Sequence, residues 1–166
     1  DLEKVSEFCF DTETTGLNSL EAEVVGLSFS IKAHEAYYVP VSADQKVAKE
    51  TLLKFVGIFS DEKKTLIGQN IKYDYHILMN YGIQIKNKLF DTMVAHFLIQ
   101  PEMRHGMDVL AETYLNYAPI SIETLIGKKG KNQTSMRDVP IEQITDYAAE
   151  DADITLQLKD VFKPKL

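Results

Sequence analysis

Two acidic side chains stand at the end of an apolar run near the start of the chain. Residues 7–13 are mostly aromatic and apolar until Asp11 and Glu13, and Gly16 follows. This pattern predicts a buried strand that ends in carboxylates. Because residues i and i+2 of a strand share a face, Asp11 and Glu13 project together. Such a pair either binds a divalent cation, for which carboxylate oxygens suit Mg²⁺ or Mn²⁺, or forms a solvated strand end.

A second carboxylate site is predicted in the last helix. Tyr147 and Asp151 lie four residues apart, so at ~100° per residue they share one helical face. Ile154 and Leu158 continue that face, and we expect it to pack inward. A carboxylate on an inward face requires a partner or a metal ion, since an isolated buried charge is costly.

Three other acids are less informative by themselves. We interpret Glu150 and Asp153 as solvated charges on the outer faces of the same helix. Asp74 follows a short loop, where it fits a helix cap as well as it fits a ligand.

The elements that position these residues follow from periodicity. Apolar and β-branched runs predict four strands, and the short connection at Ala33-His34 predicts a hairpin. Five helices are predicted from helical spacing. Their ends are indicated by an N-cap at Asp91, a stop at Gly82 and Pro140 in a first turn. The predicted strands span residues 7–13, 24–32, 35–41 and 65–68, and the helices residues 49–59, 73–81, 93–99, 108–116 and 140–162. The order predicts an α/β fold, a mixed sheet flanked by helices, with residues 127–138 as a loop.

The composition is that of one globular domain. The chain has 166 residues, of which 45% are hydrophobic and 26% charged, enough to bury a core without disulfides. Its single cysteine, Cys9, lies in an apolar run and is expected to be a buried structural thiol. No apolar stretch approaches the ~20 residues that cross a bilayer, and no signal peptide is evident, so we expect a cytoplasmic protein without a membrane partner. The start at Asp1 rather than Met predicts a single domain, residues 1–166, cut from a longer chain.

The net charge of −7 argues mildly against nucleic-acid binding. Bound metal ions would neutralise part of the acidic charge. Positive charge is also concentrated in one Gly-containing stretch, at Lys128, Lys129, Lys131 and Arg137.

Taken in order, the acidic segments resemble the three motifs of the DEDD exonuclease superfamily. The matching segments are Asp11-x-Glu13, Asn70-x-x-x-Asp74 and Tyr147-x-x-x-Asp151. Asp146 stands where the histidine subclass carries its histidine, so the chain resembles the tyrosine subclass. Residues 10–14, 25–29, 68–74, 90–93, 130–133 and 147–153 are similar to the proofreading domains of bacterial family A DNA polymerases, the DNA polymerase I family. The resemblance implies a ribonuclease H-like sheet, with three antiparallel strands followed by parallel ones.

The resemblance also implies a reaction. A 3′–5′ exonuclease of this family hydrolyses the terminal phosphodiester of a single-stranded DNA 3′ end with two divalent ions, Mg²⁺ or Mn²⁺, with Zn²⁺ as an option at one site. Asp11, Glu13 and Asp151 would hold the first ion, and Asp74, with Asp11 as a bridge, the second. Tyr147, with Glu13, would orient the attacking water. The implied partner is a polymerase domain in the same full-length chain.

Further residues are implied to contact substrate: Thr14, Leu17, Gln69, Asn70, Met93 and Arg104. Leu17 would act as an apolar wedge against the terminal bases, although a plain core leucine is an alternative. His105 and the lysines of the basic loop are additional candidates for phosphate contact. Ile122 lies where some relatives carry an aromatic residue that stacks on the substrate.

Two other functions stay open at this point. An RNA-processing 3′–5′ exonuclease of the same superfamily would use the same catalytic residues. A catalytically silent domain that binds DNA or braces a polymerase would keep the fold without the chemistry.

Overall fold

The computed structural model describes all residues, 1–166, and contains a five-stranded mixed sheet in the order β3-β2-β1-β4-β5. The strands are β1 (Glu7–Thr14), β2 (Val24–Lys32), β3 (Glu35–Pro40), β4 (Thr65–Gly68) and β5 (Lys88–Asp91). β1, β2 and β3 pair antiparallel, whereas β4 and β5 join β1 in parallel. The predicted α/β class and the change from antiparallel to parallel pairing are therefore confirmed.

Seven helices surround the sheet. They are α1 (Gln45–Leu53), α2 (Val56–Phe59), α3 (Ile71–Asn80), α4 (Thr92–Ile99), α5 (Met107–Leu115), α6 (Ile122–Ile126) and α7 (Ile141–Phe162). None of them combines the length and the apolar character that crossing a bilayer requires.

Several predicted boundaries were wrong for identifiable reasons. The single helix over residues 49–59 is two helices, and the first begins at Gln45 because Asp44 caps its backbone N–H groups. β5 was not predicted, since it has only four residues, two of them exposed, and lies at the sheet edge. α6 was missed because its five residues include none that is buried.

Strand β1 separates two packed layers. Phe8 and Phe10 point to one face, into an aromatic core with Phe29 and Phe59 that α1 to α3 cover. Cys9, between them, points to the opposite face and is fully buried under α7. Because side chains alternate along a strand, Asp11 and Glu13 share the face of Cys9 and therefore lie on the α7 side.

Helix α7 is held to the sheet by polar contacts as well as apolar ones. Near its C-terminal end, the buried ammonium of Lys159 pairs with Glu7 at the start of β1. Near its middle, Asp153 accepts a hydrogen bond of 2.6 Å from the backbone N–H of His34, in the turn of the β2–β3 hairpin. These contacts fix how far α7 can slide along the sheet.

The side chain of Asp91 caps the N-terminal ends of two helices. Its Oδ1 accepts hydrogen bonds from the N–H groups of Met93 and Val94 at the start of α4. The N–H groups of Asn70 and Ile71, at the start of α3, also donate to its carboxylate. One side chain thus satisfies backbone donors of two neighbouring helices.

We predict that Asp91→Ala lowers the free energy of unfolding by about 2–3 kcal/mol, because two caps are lost together. Asp44→Ala, which removes one cap of α1, should cost only about 1 kcal/mol. Urea unfolding followed by circular dichroism measures both. Equal losses in the two variants would show that Asp91 does not stabilise α3.

Candidate active site

Three carboxylates meet where β1 passes beneath α7. Asp11 and Glu13 come from the α7 side of the strand, and Asp151 comes from the inward face of the helix. One ligand oxygen from each lies within 4.8 Å of the other two. The sequence thus placed all three on faces that meet in the fold.

Burial makes this cluster unfavourable without a cation. Glu13 is 5% exposed and Asp151 6%, and Oε1 of Glu13 is buried without a hydrogen-bond partner. Burial raises the pKa of Asp11 to about 7. Burial, and then the charge of Asp11, raise the pKa of Glu13 and that of Asp151 well above their usual values. An unpartnered oxygen among converging carboxylates fits a divalent cation, which would offset the repulsion.

Asp74 approaches from α3 and lies just outside the three-carboxylate cluster. It is 2% exposed, and its Oδ1 accepts hydrogen bonds from the backbone N–H of Thr12 at 3.1 Å and the Thr12 hydroxyl at 2.5 Å. Burial first, and then the charge of Asp11, raise its pKa well above the usual value. Thr12, which separates Asp11 from Glu13, therefore ties the second motif to the first.

Tyr147 lies one turn before Asp151 on α7 and packs against the apolar cluster around Met136 and Ile144. Burial, followed by the charges of Asp151 and Glu13, raises the pKa of its hydroxyl above the usual range. The phenol therefore stays protonated at neutral pH and can donate a hydrogen bond, but it cannot serve as a base.

The cluster opens into a cavity of about 530 Å³. Its polar floor holds Asp11, Glu13 and Asp151, and Leu17, Ile122 and Ile126 add apolar surface to its walls. Leu17 is 89% exposed, so the alternative interpretation of it as a core leucine is wrong. The cavity thus combines carboxylates with an apolar surface that could contact a base.

Tyr73, Gln133 and Thr134 line the cavity but were given no role from the sequence, although Tyr73 and Gln133 lie within the matching segments 68–74 and 130–133. Gln133 and Thr134, at the base of the basic loop, line the cavity. Tyr73 also lines it, and its hydroxyl donates to the Gly16 carbonyl at 2.5 Å and is hydrogen-bonded to Thr14 Oγ1 at 2.6 Å. Its position directly before Asp74 could have identified it as a cavity residue, because α3 brings both residues to the end of β1.

Four of the predicted substrate contacts lie away from this cavity. The Gln69 amide donates to the His105 carbonyl at 2.7 Å, and its oxygen accepts from the Thr92 hydroxyl at 2.5 Å. The cavity is not lined by Gln69, Asn70, Met93 or Arg104. Thr14 and Leu17 do line it, so the structure brings together only these two of the six.

The basic residues separate into two groups. Lys128, Lys129 and Lys131 are exposed on the loop. Arg137, counted with them in the sequence, is instead turned inward: its guanidinium donates to the carbonyls of Val41 and Val24. Arg137 therefore stabilises the fold by joining β2 to the segment after β3.

The prediction that Glu150 and Asp153 are solvated charges was wrong. Glu150 accepts hydrogen bonds from the Ile120 N–H at 2.7 Å and the Tyr117 hydroxyl at 2.5 Å. Asp153 binds the hairpin turn at His34. The partners Tyr117, Ile120 and His34 are all distant in sequence, and one bond of each acid is to a backbone N–H. The spacing of side chains therefore gave no signal for these contacts.

Comparisons with known proteins agree with this geometry. A family described as 3′–5′ exonuclease matches residues 1–166. The chain is 38% identical over 168 residues to the DNA polymerase I of Borreliella burgdorferi, covering 99% of this chain and 18% of that protein. It is 37% identical over 174 residues to the DNA polymerase I of Pseudomonas aeruginosa, covering 99% of this chain and 19% of that protein. The chain thus spans about a fifth of the length of these relatives.

Solved nuclease structures share the fold. Brucella melitensis NrnC superposes with a TM-score of 0.78 at 26% identity, over 100% of this chain and 76% of that one. The catalytic core of RRP6 from Trypanosoma brucei superposes with a TM-score of 0.73 at 18% identity, over 98% of this chain and 41% of that one, which shows a common ribonuclease H-like fold alone. The match along the whole sequence shows that this chain belongs to the 3′–5′ exonuclease family and is similar to one region of DNA polymerase I proteins.

Proposed function

We propose that this domain removes nucleotides from the 3′ end of single-stranded or frayed DNA, releases 5′-mononucleotides, and proofreads for a polymerase domain in the same chain. One observation carries the proposal. Three carboxylates, two of them buried and one with an unpartnered oxygen, converge at the floor of a cavity with apolar walls. The polymerase partner and a cytoplasmic location are proposed from the relatives, which are DNA polymerase I proteins several times longer than this chain.

The donor set favours two divalent cations. Asp11, Glu13 and Asp151 would hold one, and oxygen ligands of this kind suit Mg²⁺ or Mn²⁺. Both hydrogen bonds from Thr12 go to Oδ1 of Asp74, which leaves Oδ2 for the second ion, directly or through water. Bound ions supply a water of lowered pKa and stabilise charge on the attacking and leaving oxygens.

Protein groups around the cluster have separate tasks in the proposed reaction. The protonated hydroxyl of Tyr147, together with Glu13, would orient the attacking water by hydrogen bonding. Holding the water in line with the scissile phosphorus removes part of the entropic barrier. Leu17, Ile122 and Ile126 offer apolar surface to the terminal bases, which must be unpaired to reach it.

The choice between DNA and RNA rests on the relatives, because the carboxylates serve both polymers. We predict that the domain degrades a 3′-labelled single-stranded DNA at least about fivefold faster than the RNA of the same sequence, with EDTA abolishing both reactions. Mononucleotide release with Mg²⁺ and with Mn²⁺ measures the rates, beside an Asp11→Ala control. A preference for RNA would support the RNA-processing alternative, and no release of either would support a silent domain.

We predict different losses for the metal ligand and the tyrosine. Asp151→Ala should lower kcat by about 10³-fold or more, since it removes a ligand, whereas Tyr147→Phe should lower it by about 10–100-fold, since only orientation of the water is lost. Asp146→Ala, at an exposed position on the same helix, is the matched control and should keep full activity. Equal losses in the first two variants at saturating metal would contradict this division of roles.

We predict that stability without metal falls as the pH rises. Burial raises the pKa of Asp11 to about 7, whereas an unfolded aspartate titrates at about 4. Between these values the folded domain keeps protons that the unfolded chain has lost, so stability is full below pH 4 and is lost as the pH passes 7. Mg²⁺ should therefore raise the melting temperature at pH 8 by about 5 °C and have little effect at pH 5.

Glu13→Gln is the control for this measurement. It removes one charge from the cluster, so without metal at pH 8 it should melt above the wild type, and its response to Mg²⁺ should be smaller. A wild-type melting temperature that rises from pH 5 to pH 8 in EDTA would contradict the assigned pKa direction.

A further inference from the structure

Glu150 connects the catalytic helix to a segment that shapes the cavity. It directly precedes Asp151 on α7, yet its two carboxylate oxygens point to the connection between α5 and α6. Oε2 accepts from the Ile120 N–H at 2.7 Å, and Oε1 accepts from the Tyr117 hydroxyl at 2.5 Å. Hydrogen bonds to an ionised acceptor are roughly twice as strong as neutral ones, so this is a firm attachment.

Helix α6 has its other attachments at its C-terminal end, where Leu125 and Ile126 pack against the apolar cluster around Met136 and Ile144. It is five residues long and has no buried residue. Its C-terminal end is held by the Thr134 N–H, which donates to the Ile126 carbonyl at 2.9 Å. Its N-terminal end begins two residues after Ile120, the residue that Glu150 binds. A helix this short is unstable by itself, so these end contacts determine where it lies.

The two ends of α6 matter because both reach the cavity. Ile122 and Ile126, its first and last residues, line the cavity that holds the carboxylates. Ile122 is 39% exposed, so packing alone does not fix it. Moving the 117–120 segment would therefore move Ile122 relative to Asp151, whereas Ile126 is held by its packing against the cluster around Met136.

We propose that Glu150 is a positioning residue for substrate: it places Ile122 so that this side chain meets the terminal bases of the DNA. This inference rests on the proposed function. The same turn of α7 carries Tyr147 and Asp151, so the helix that presents the metal ligand also sets the surface that receives the base. The surface that receives the base and the carboxylate that holds the metal are therefore both attached to α7.

Asp153 provides a matched comparison. It lies on the same helix, three residues further on, and its carboxylate likewise accepts a backbone N–H from another segment, at His34. That segment is the β2–β3 hairpin, which does not line the cavity. A general loss of α7 attachment would affect both acids equally, whereas a role in placing substrate belongs to Glu150 alone.

The test is steady-state kinetics on single-stranded DNA with Mg²⁺. Glu150→Ala should raise KM by about tenfold and leave kcat within about threefold, since binding surface is displaced while the carboxylates remain. Asp153→Ala should leave KM unchanged. Glu150→Gln, whose amide oxygen can still accept from Ile120, should restore most of the wild-type KM, which guards against a variant that is merely unfolded.

A double-mutant cycle tests whether Glu150 acts through α6. If Glu150 acts through α6, Glu150→Ala should add less than about twofold to the KM of Ile122→Ala. Full additivity, a fall in kcat at constant KM, or an equal rise of KM in Asp153→Ala would each overturn the inference. Wild-type protein that releases no nucleotide from DNA would instead overturn the proposed function. An active wild type, an inactive Asp151→Ala and an unchanged Glu150→Ala would overturn the positioning role alone.

Discussion

Repulsion among Asp11, Glu13 and Asp151 is the constraint around which this fold is arranged. Three acids with oxygens within 4.8 Å of one another, two of them almost fully buried, oppose folding unless a cation joins them. The scaffold must therefore hold them together against their charge. β1 does this by burying Phe8 and Phe10 on its other face, since a shift of one residue would turn both rings towards α7 and the acids into the aromatic core.

The helix has to match the strand in register, and polar contacts achieve this. Apolar packing between α7 and the sheet tolerates small sliding, whereas hydrogen bonds and ion pairs have fixed partners. Lys159 meets Glu7 at one end of β1, and Asp151 meets Asp11 and Glu13 at the other. Asp153, which lies between Asp151 and Lys159 along α7, is bound to the hairpin. Together these contacts give the helix one axial position, in which the carboxylates converge.

Features that depend on local interactions could be predicted from the sequence, whereas features that depend on long-range interactions could not. β1 to β3, their hairpin, the cap at Asp91 and the long last helix follow from patterns within a few residues, so their existence was predictable even where ends shifted. β5 and α6 have only four and five residues, which are too few to establish a periodic pattern, and neighbouring elements hold them in place. The inward turn of Arg137 and the attachments of Glu150 depend on distant partners, several of them backbone groups, and these leave no trace in side-chain spacing. The carboxylates were predictable because a strand of period two and a helix of period 3.6 place them by rule.

The cavity therefore has two parts with different supports. Its floor is built on β1 and α7, where core packing determines the positions of the acids. Its apolar surface comes from Leu17, in an exposed turn, and from α6, which has no buried residue. Metal chemistry tolerates little displacement of its ligands, whereas an apolar surface can stack against an unpaired base of any sequence. A floor set by the core beneath a more exposed apolar wall therefore suits the proposed exonuclease, which must accept every base at a single hydrolytic centre.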